Sequence, residues 1–520
     1  MEETHKKLLF DVTRLRFILK GIVVGILVGI VVSLFRLAIE KLILVSKWGF
    51  AQIHNQPWLV LVWLLVAVLI SFIVGKLIQG DIDIMGSGIP QVEGQLAGEL
   101  EMNWWSVLWR KWLGGVLMIG SGLFLGREGP SIQLGSAVGQ GFAEKTCHEG
   151  TGRRVLIAGG AAAGLSAAFN APIAGTLFIL EEVYHNFSPL VWTTSLAAAL
   201  TANAVSMAFF GLTPVLHMTY RTSLPLKYYP CLLLMGVVLG LLGYLYQYLT
   251  LNVNKVYAKL KWLPRQFDSL IALALLLPIG LLWPNTLGGG NSLIISLGHA
   301  KLSLLVLFGL FVLRLSFSTI SYGSGVPGGI FLPILTLGAV LGALIGKAFF
   351  LLGIFPDYLI VNFIIYAMAG YFACISKAPF TAILLITEMV GSLSHLMPLA
   401  VVSIIAYTVV DVLRGQPIYE AMLANLRPNP DQIHGTYEDR LEFPVLAGSK
   451  LQDRQVRDIK WPKDCLLISI RRGENEQIPH GDTVIRSGDT LIILTNYEQR
   501  AKIRKQINFI TQNLSAKYYA

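Results

Sequence analysis

GREGPSIQLGSAVG, residues 126–139, sets an arginine and a glutamate between two glycines inside a chain that otherwise reads as membrane. It lines up with GIFLPILTLGAVLG at 329–342, both stretches carrying GxxxP and then LG. A second pair follows in the same order: NAPIAGTLFILEE at 170–182 matches KAPFTAILLITEM at 377–389, with Glu181 against Glu388. Two ordered matches, each pinned by Pro, Gly and Glu, point to an internal duplication, with repeats at about 17–215 and 225–425. Repeats of this kind belong to transporter folds in which broken helices from the two halves meet near the membrane midplane. The sequence alone does not say whether the repeats are parallel or inverted.

The 520 residues are 54% hydrophobic and 14% charged, with a mean hydropathy of +0.62, which places the chain among polytopic membrane proteins. Candidate spans are 17–46, 58–78, 104–125, 189–211, 228–249, 268–286, 303–320, 333–354, 358–390 and 396–413. Several are too long for one straight helix or are cut by Gly and Pro, so tilted and interrupted helices are expected. The net charge of +10 is scattered and forms no basic stripe, which argues against nucleic acid. Lys6, Lys7, Arg14 and Arg16 before the first span, with Lys20 at its very start, set the N-terminal segment, 1–16, in the cytoplasm. That segment does not read as a cleaved signal. Cys147, Cys231, Cys374 and Cys465 stand far apart, so neither a metal site nor a disulfide framework is expected. No cofactor is implied. No nucleophile, base and orienting group occur together at an enzyme's spacing, and there is no TVGYG-like cation filter.

Three stretches share one chemistry: GSGIP at 86–90, GREGP at 126–130 and GGIFLP at 328–333. Glycine lets backbone N–H groups approach a ligand, and proline is favoured in the first turn of a helix. Each break is therefore expected to hold a helix N-terminus inside protein, where free N–H groups and the positive dipole end attract an anion without a full opposing charge. A halide bound by partial charges can leave again, as conduction requires. Glu128 lies where such a helix end would stabilise a carboxylate, so it would compete with an anion for the same place.

These elements, with Tyr419 in GQPIYEAML, resemble in identity, order and spacing the signatures of the ClC family of chloride channels and chloride/proton antiporters. The resemblance covers about 17–425 and implies an all-α membrane domain of two inverted repeats with many tilted and broken helices. It also implies a homodimer with one pore per subunit. By the same resemblance the anion is held by the Ser87 and Tyr419 hydroxyls and by the backbone at Gly88, Ile89, Gly129, Ile330 and Phe331. Glu128 is implied as external gate and proton acceptor, and Glu182 as the internal proton-transfer group that favours antiport over passive conduction. Glu93, Lys111 and Arg127 match a supporting charged cluster. Gln91, after GSGIP, departs from the bacterial antiporter pattern, which has an acid there. The function implied is exchange of chloride for protons. A voltage- or pH-gated chloride channel and a fluoride/proton antiporter are the alternatives, the latter disfavoured by the presence of both Ser87 and Tyr419.

Beyond a linker at 426–440 the apolar runs shorten to strand length, and a final amphipathic helix is expected. IPHGDTVIRSGDTLIIL is similar to TrkA-C, the C-terminal lobe of potassium-conductance regulators. That likeness implies a small α+β regulatory module at about 441–513 on the cytoplasmic face, able to dimerise and to take a small nucleotide-like ligand. The resemblances together imply a multi-pass cell-membrane protein with both termini cytoplasmic.

Overall fold

The computed structural model describes residues 12–511, except 148–149, 213, 217, 219, 221, 260–263, 299–301, 427–437, 446–447, 473–474 and 497–498. Most of the expected N-terminal segment and of the 426–440 linker lies outside the described residues. The chain divides into two units: Met1–Leu96, Met102–His185 and Leu190–Asn425 form one, and Leu426–Ala520 with Ala97–Glu101 and Asn186–Pro189 form the other.

The first unit opens with α1 (Val12–Asn55), α2 (Leu59–Gly80), α3 (Ile89–Leu96), α4 (Trp104–Gly120), α5 (Glu128–Thr146), α6 (Gly150–Phe169), α7 (Pro172–Phe178) and α8 (Pro189–Phe210). It continues with α9 (Tyr229–Tyr257), α10 (Ser269–Leu282), α11 (Asn291–Leu297), α12 (Leu304–Gly323) and α13 (Phe331–Leu351). It closes with α14 (Ile360–Ser376), α15 (Pro379–Val390), α16 (Leu396–Val412) and α17 (Ile418–Leu426). Eight described helices are long and apolar enough to cross a membrane.

Three candidate spans turn out differently, each for a local reason. The 104–125 run is helical only to Gly120, and its remainder is the approach to GREGP. The 268–286 run is helical only as far as Leu282, with Pro284 just beyond. The 358–390 run breaks at Lys377, which takes a left-handed backbone (φ 58°) before Pro379 restarts the helix. Conversely α5 and α6 were missing from the candidate spans, because their glycines, alanines and polar residues lower the hydropathy. The glycines are there for packing. A Cβ on Gly135 would lie 2.1 Å from the carbonyl oxygen of Gly160, and one on Gly160 would lie 2.2 Å from that of Gly135. Only glycine on both sides lets the two backbones touch.

The repeats are joined by reciprocal contacts. Gly126 and Gly329, equivalent positions, exchange both backbone hydrogen bonds at 2.7 Å. Glu181 accepts from the Phe380 and Thr381 amides at 3.2 and 2.8 Å, capping α15, and its equivalent Glu388 accepts from the Ile173 and Ala174 amides at 3.1 and 2.8 Å, capping α7. When residue i of one half contacts j of the other, and the equivalents do the same in reverse, a two-fold axis relates the halves. The two halves are thus related by a pseudo-two-fold axis, as the inverted repeats implied by the resemblance require.

The second unit is a four-stranded antiparallel sheet with strand order β1 (Glu438–Pro444), β4 (Asp489–Asn496), β2 (Cys465–Arg472), β3 (Asn475–Gln477), followed in sequence by α18 (Arg500–Thr511). Period-two residues Leu441, Phe443, Leu491 and Ile493 share a core with Ile503 and Ile507, one turn apart on α18. Gly488 turns the chain at φ +87°. Beside it Arg472 grips Asp489 with two bonds of 2.8 Å, which hold the guanidinium above its usual range.

Candidate functional site

The three glycine-rich breaks are stitched to one another. Gly328 donates to the carbonyl of Gly86 at 3.0 Å, beside the Gly126–Gly329 pair. Gly86 and Gly88 take φ values of +60° and +87°, a region that a side chain would strain. Lys111, fully buried, reaches from α4 to donate to the carbonyls of Ile84 and Gly86 at 2.9 and 2.8 Å, so its charge is spent on fixing the GSGIP turn. The N-termini of α3, α5 and α13 are thus assembled around one place, each with first-turn amides that have no acceptor within their own helix.

A chain of neighbours runs through this place. A Cβ on Gly129 would meet the Ser87 hydroxyl at 2.4 Å, and one on Gly329 would meet the Gly129 amide at 3.1 Å, so Ser87, α5 and the approach to Ile330 are in contact. The Phe331 ring packs against Phe372 at 4.3 Å, Phe169 at 5.2 Å and Phe178 at 5.5 Å. Phe178 in turn meets Tyr419 edge-on at 6.0 Å. The Ser87 and Tyr419 hydroxyls are both buried and have no hydrogen-bond partner among the described groups. A buried hydroxyl needs an acceptor. A halide is one, so the residues present suit an anion held by hydroxyls and amides.

Glu128 is the first residue of α5 and is 0% exposed. Neither carboxylate oxygen makes a hydrogen bond of good geometry; the backbone of Leu332 faces it from the start of α13, and Arg127 Nε is 3.9 Å from Oε1. A Cβ on Gly126 would come within 2.4 Å of Oε2 and 3.1 Å of the Leu332 amide, so this glycine makes room for the carboxylate against the opposing helix end. A charge there is disfavoured by lost water and favoured by helix N-termini, which suits a group that changes protonation state.

Glu182, on the distorted turn Ile179–Val183 after α7, is also buried. Glu93, Glu181, Glu420 and Lys377 are the charged groups that act on it. Tyr419 is within electrostatic reach of both Glu182 and Glu128. The charges expected as one cluster are therefore divided: Arg127 lies beside Glu128, Glu93 acts on Glu182, and Lys111 serves the GSGIP turn. Two further charges escaped the sequence reading. Glu40 on α1 accepts from Arg127 at 2.7 Å. Arg314, fully buried on α12, donates to the carbonyls of Thr286 and Gly288 at 2.6 and 2.9 Å and stacks over Phe124, bracing the approach to GREGP. Its position in the apolar run LFVLRLSF was the available signal; Glu40, well inside the long first helix and four residues after Arg36, carried a signal of the same kind.

A family model described as voltage gated chloride channel matches residues 66–411, and one described as TrkA-C domain matches 440–508. The chain is 37% identical over 349 residues to an H(+)/Cl(-) exchange transporter ClcA of Vibrio cholerae serotype O1, covering 65% of this chain and 74% of that one. It is 32% identical over 361 residues to the ClcA exchange transporter of Yersinia pestis biovar Antiqua, strain Angola, covering 68% and 75%. The crystal structure of a slow cyanobacterial Cl-/H+ antiporter superposes with a TM-score of 0.73 at 29% identity, over 79% of this chain and 98% of that one.

Proposed function

Because this chain belongs to the voltage-gated chloride channel family, we propose that it is a secondary transporter exchanging chloride for protons across the cell membrane. The observation that carries the reading is Glu128, a buried carboxylate without a firm partner, set where helix ends of both repeats meet. The relatives named above as H(+)/Cl(-) exchangers support it. In this reading Ser87, Gly88, Ile89, Gly129, Ile330, Phe331 and Tyr419 hold chloride. Charged Glu128 occupies the outer anion position, and on taking a proton it leaves, so chloride and protons use the same place in turn. Glu182 passes protons between the cytoplasm and the interior without touching the anion. The subunits pair as a homodimer with both termini cytoplasmic, and the second unit tunes transport, with a small nucleotide-like ligand as its candidate effector.

Replacement of Glu128 by Gln tests this directly, since Gln copies the neutral state permanently. In liposomes the variant should pass chloride passively, with a flux that no longer depends on pH, and a chloride gradient should fail to move protons uphill. The unaltered protein should exchange the two ions and speed up as pH falls. A Glu128→Gln protein that still pumps protons against their gradient in response to chloride would sink the reading.

A further inference from the structure

Arg127 is shared between two carboxylates. Its Nη1 donates to Oε1 of Glu40 at 2.7 Å, while its Nε stands 3.9 Å from Oε1 of Glu128. Glu40 comes from α1, and Arg36, one turn earlier, donates to the same Oε1 at 3.0 Å. The Arg36 guanidinium is itself fixed, its carbon 3.7 Å from the centroid of the Phe210 ring on α8. The two carboxylates differ in surroundings: the Glu40 side chain is 43% exposed and that of Glu128 is 1% exposed. The shorter and better-formed contact therefore goes to the more exposed carboxylate. The buried one is left with the longer.

We propose that Glu40 is a positioning residue for the gate: by holding Arg127 it keeps that guanidinium from closing on Glu128, and so sets the pH at which chloride flux turns on. The inference rests on the gate reading of Glu128. Among the described residues, the titratable groups acting on Glu128 are Arg127 beside it, Arg36 from α1 and Tyr419 from α17. The first turn of α13 presents no acidic residue, only backbone and apolar side chains. Arg127 is met by Glu40 and Glu128, with Arg36 nearby as a like charge.

The sign follows from charge alone. Glu40 contributes a negative charge next to the cationic pair, so replacing it with Gln makes the surroundings of Glu128 more positive. It also frees Arg127 to move from 3.9 Å into bonding distance of Glu128. Both effects favour the charged, closed carboxylate, and more acid is needed to open it.

Chloride flux into proteoliposomes, followed from neutral to acid pH, tests this with the full chain. Glu40→Gln should move the half-activation pH downward by about one unit, the size expected when one nearby charge is changed, while the rate on the acid plateau stays within about twofold of the original. Glu40→Asp keeps the charge and should leave the half-activation pH close to that of the unaltered protein. In a Glu128→Gln background, Glu40→Gln should leave the pH profile unaltered. An unmoved or raised half-activation pH in a well-folded Glu40→Gln protein overturns the proposal. So does a rate lowered by the same factor at every pH, which marks a purely structural contact. If the unaltered protein shows no pH dependence, or Glu128→Gln retains it, the gate reading fails first and this proposal falls with it; pH-dependent flux abolished by Glu128→Gln but unmoved by Glu40→Gln removes this proposal alone.

Discussion

Glu181 and Glu182 are neighbours in the chain with unlike surroundings. The first is fully engaged as a helix cap, accepting from Phe380, Thr381 and the Thr381 hydroxyl, whereas the second is buried among other carboxylates. Only the second has an oxygen free of capping duty, which is the physical reason for assigning it proton transfer. Glu182→Gln should lower proton flux by about tenfold or more, equivalent to at least about 1.4 kcal/mol in the limiting step, and leave chloride flux in place, as simultaneous chloride and pH recording in liposomes would read. Loss of both fluxes from a folded protein would make Glu182 structural, and intact proton coupling would move the role elsewhere.

The short helices α7 and α15 show how an element too brief to stabilise itself is held. Each begins at a proline after a left-handed residue, Asn170 at φ 54° and Lys377 at φ 58°. Asn tolerates that conformation; Lys does so at a cost of about 1 kcal/mol. Each helix then receives its cap from the other repeat, Glu388 on α7 and Glu181 on α15. Glu181→Ala and Glu388→Ala should each destabilise by about 1 kcal/mol, seen as similar drops in the thermal midpoint of the purified protein, because the two contacts are equivalents. A neutral result at either position would show that its cap adds nothing.

At the scale of the whole molecule, the second unit has its own sheet, core and ion pair, with Leu441, Phe443, Ile470, Leu491 and Ile493 buried together. Every group assigned to ion movement belongs to the first unit. A protein ending at Leu426 should therefore still exchange chloride for protons, at a rate within about an order of magnitude of the full chain, which the liposome assay would measure. A truncated protein that folds as the full chain does but moves no chloride would give the tail a part in transport itself.

The sequence by itself determined the breaks, the duplication and the membrane character. These depend on properties that act locally: the missing Cβ of Gly86 and Gly88, the fixed φ of Pro172 and Pro379, and the hydropathy of runs such as 333–354. It also singled out Glu128, since a carboxylate between glycines in an apolar run has no local explanation. Helices α5 and α6 were illegible because their glycines serve a partner helix, and a hydropathy scan reads such residues as weak. Only the tertiary structure decided that the two halves face each other across a two-fold axis, because the proof is a pair of exchanged contacts, Glu181 to α15 and Glu388 to α7. It alone separated Glu181 from Glu182, buried Arg314 against Phe124, and brought Glu40 from the first helix onto Arg127. Charge is read from the chain at each position, but what a charge does depends on distance in space, which no local pattern encodes.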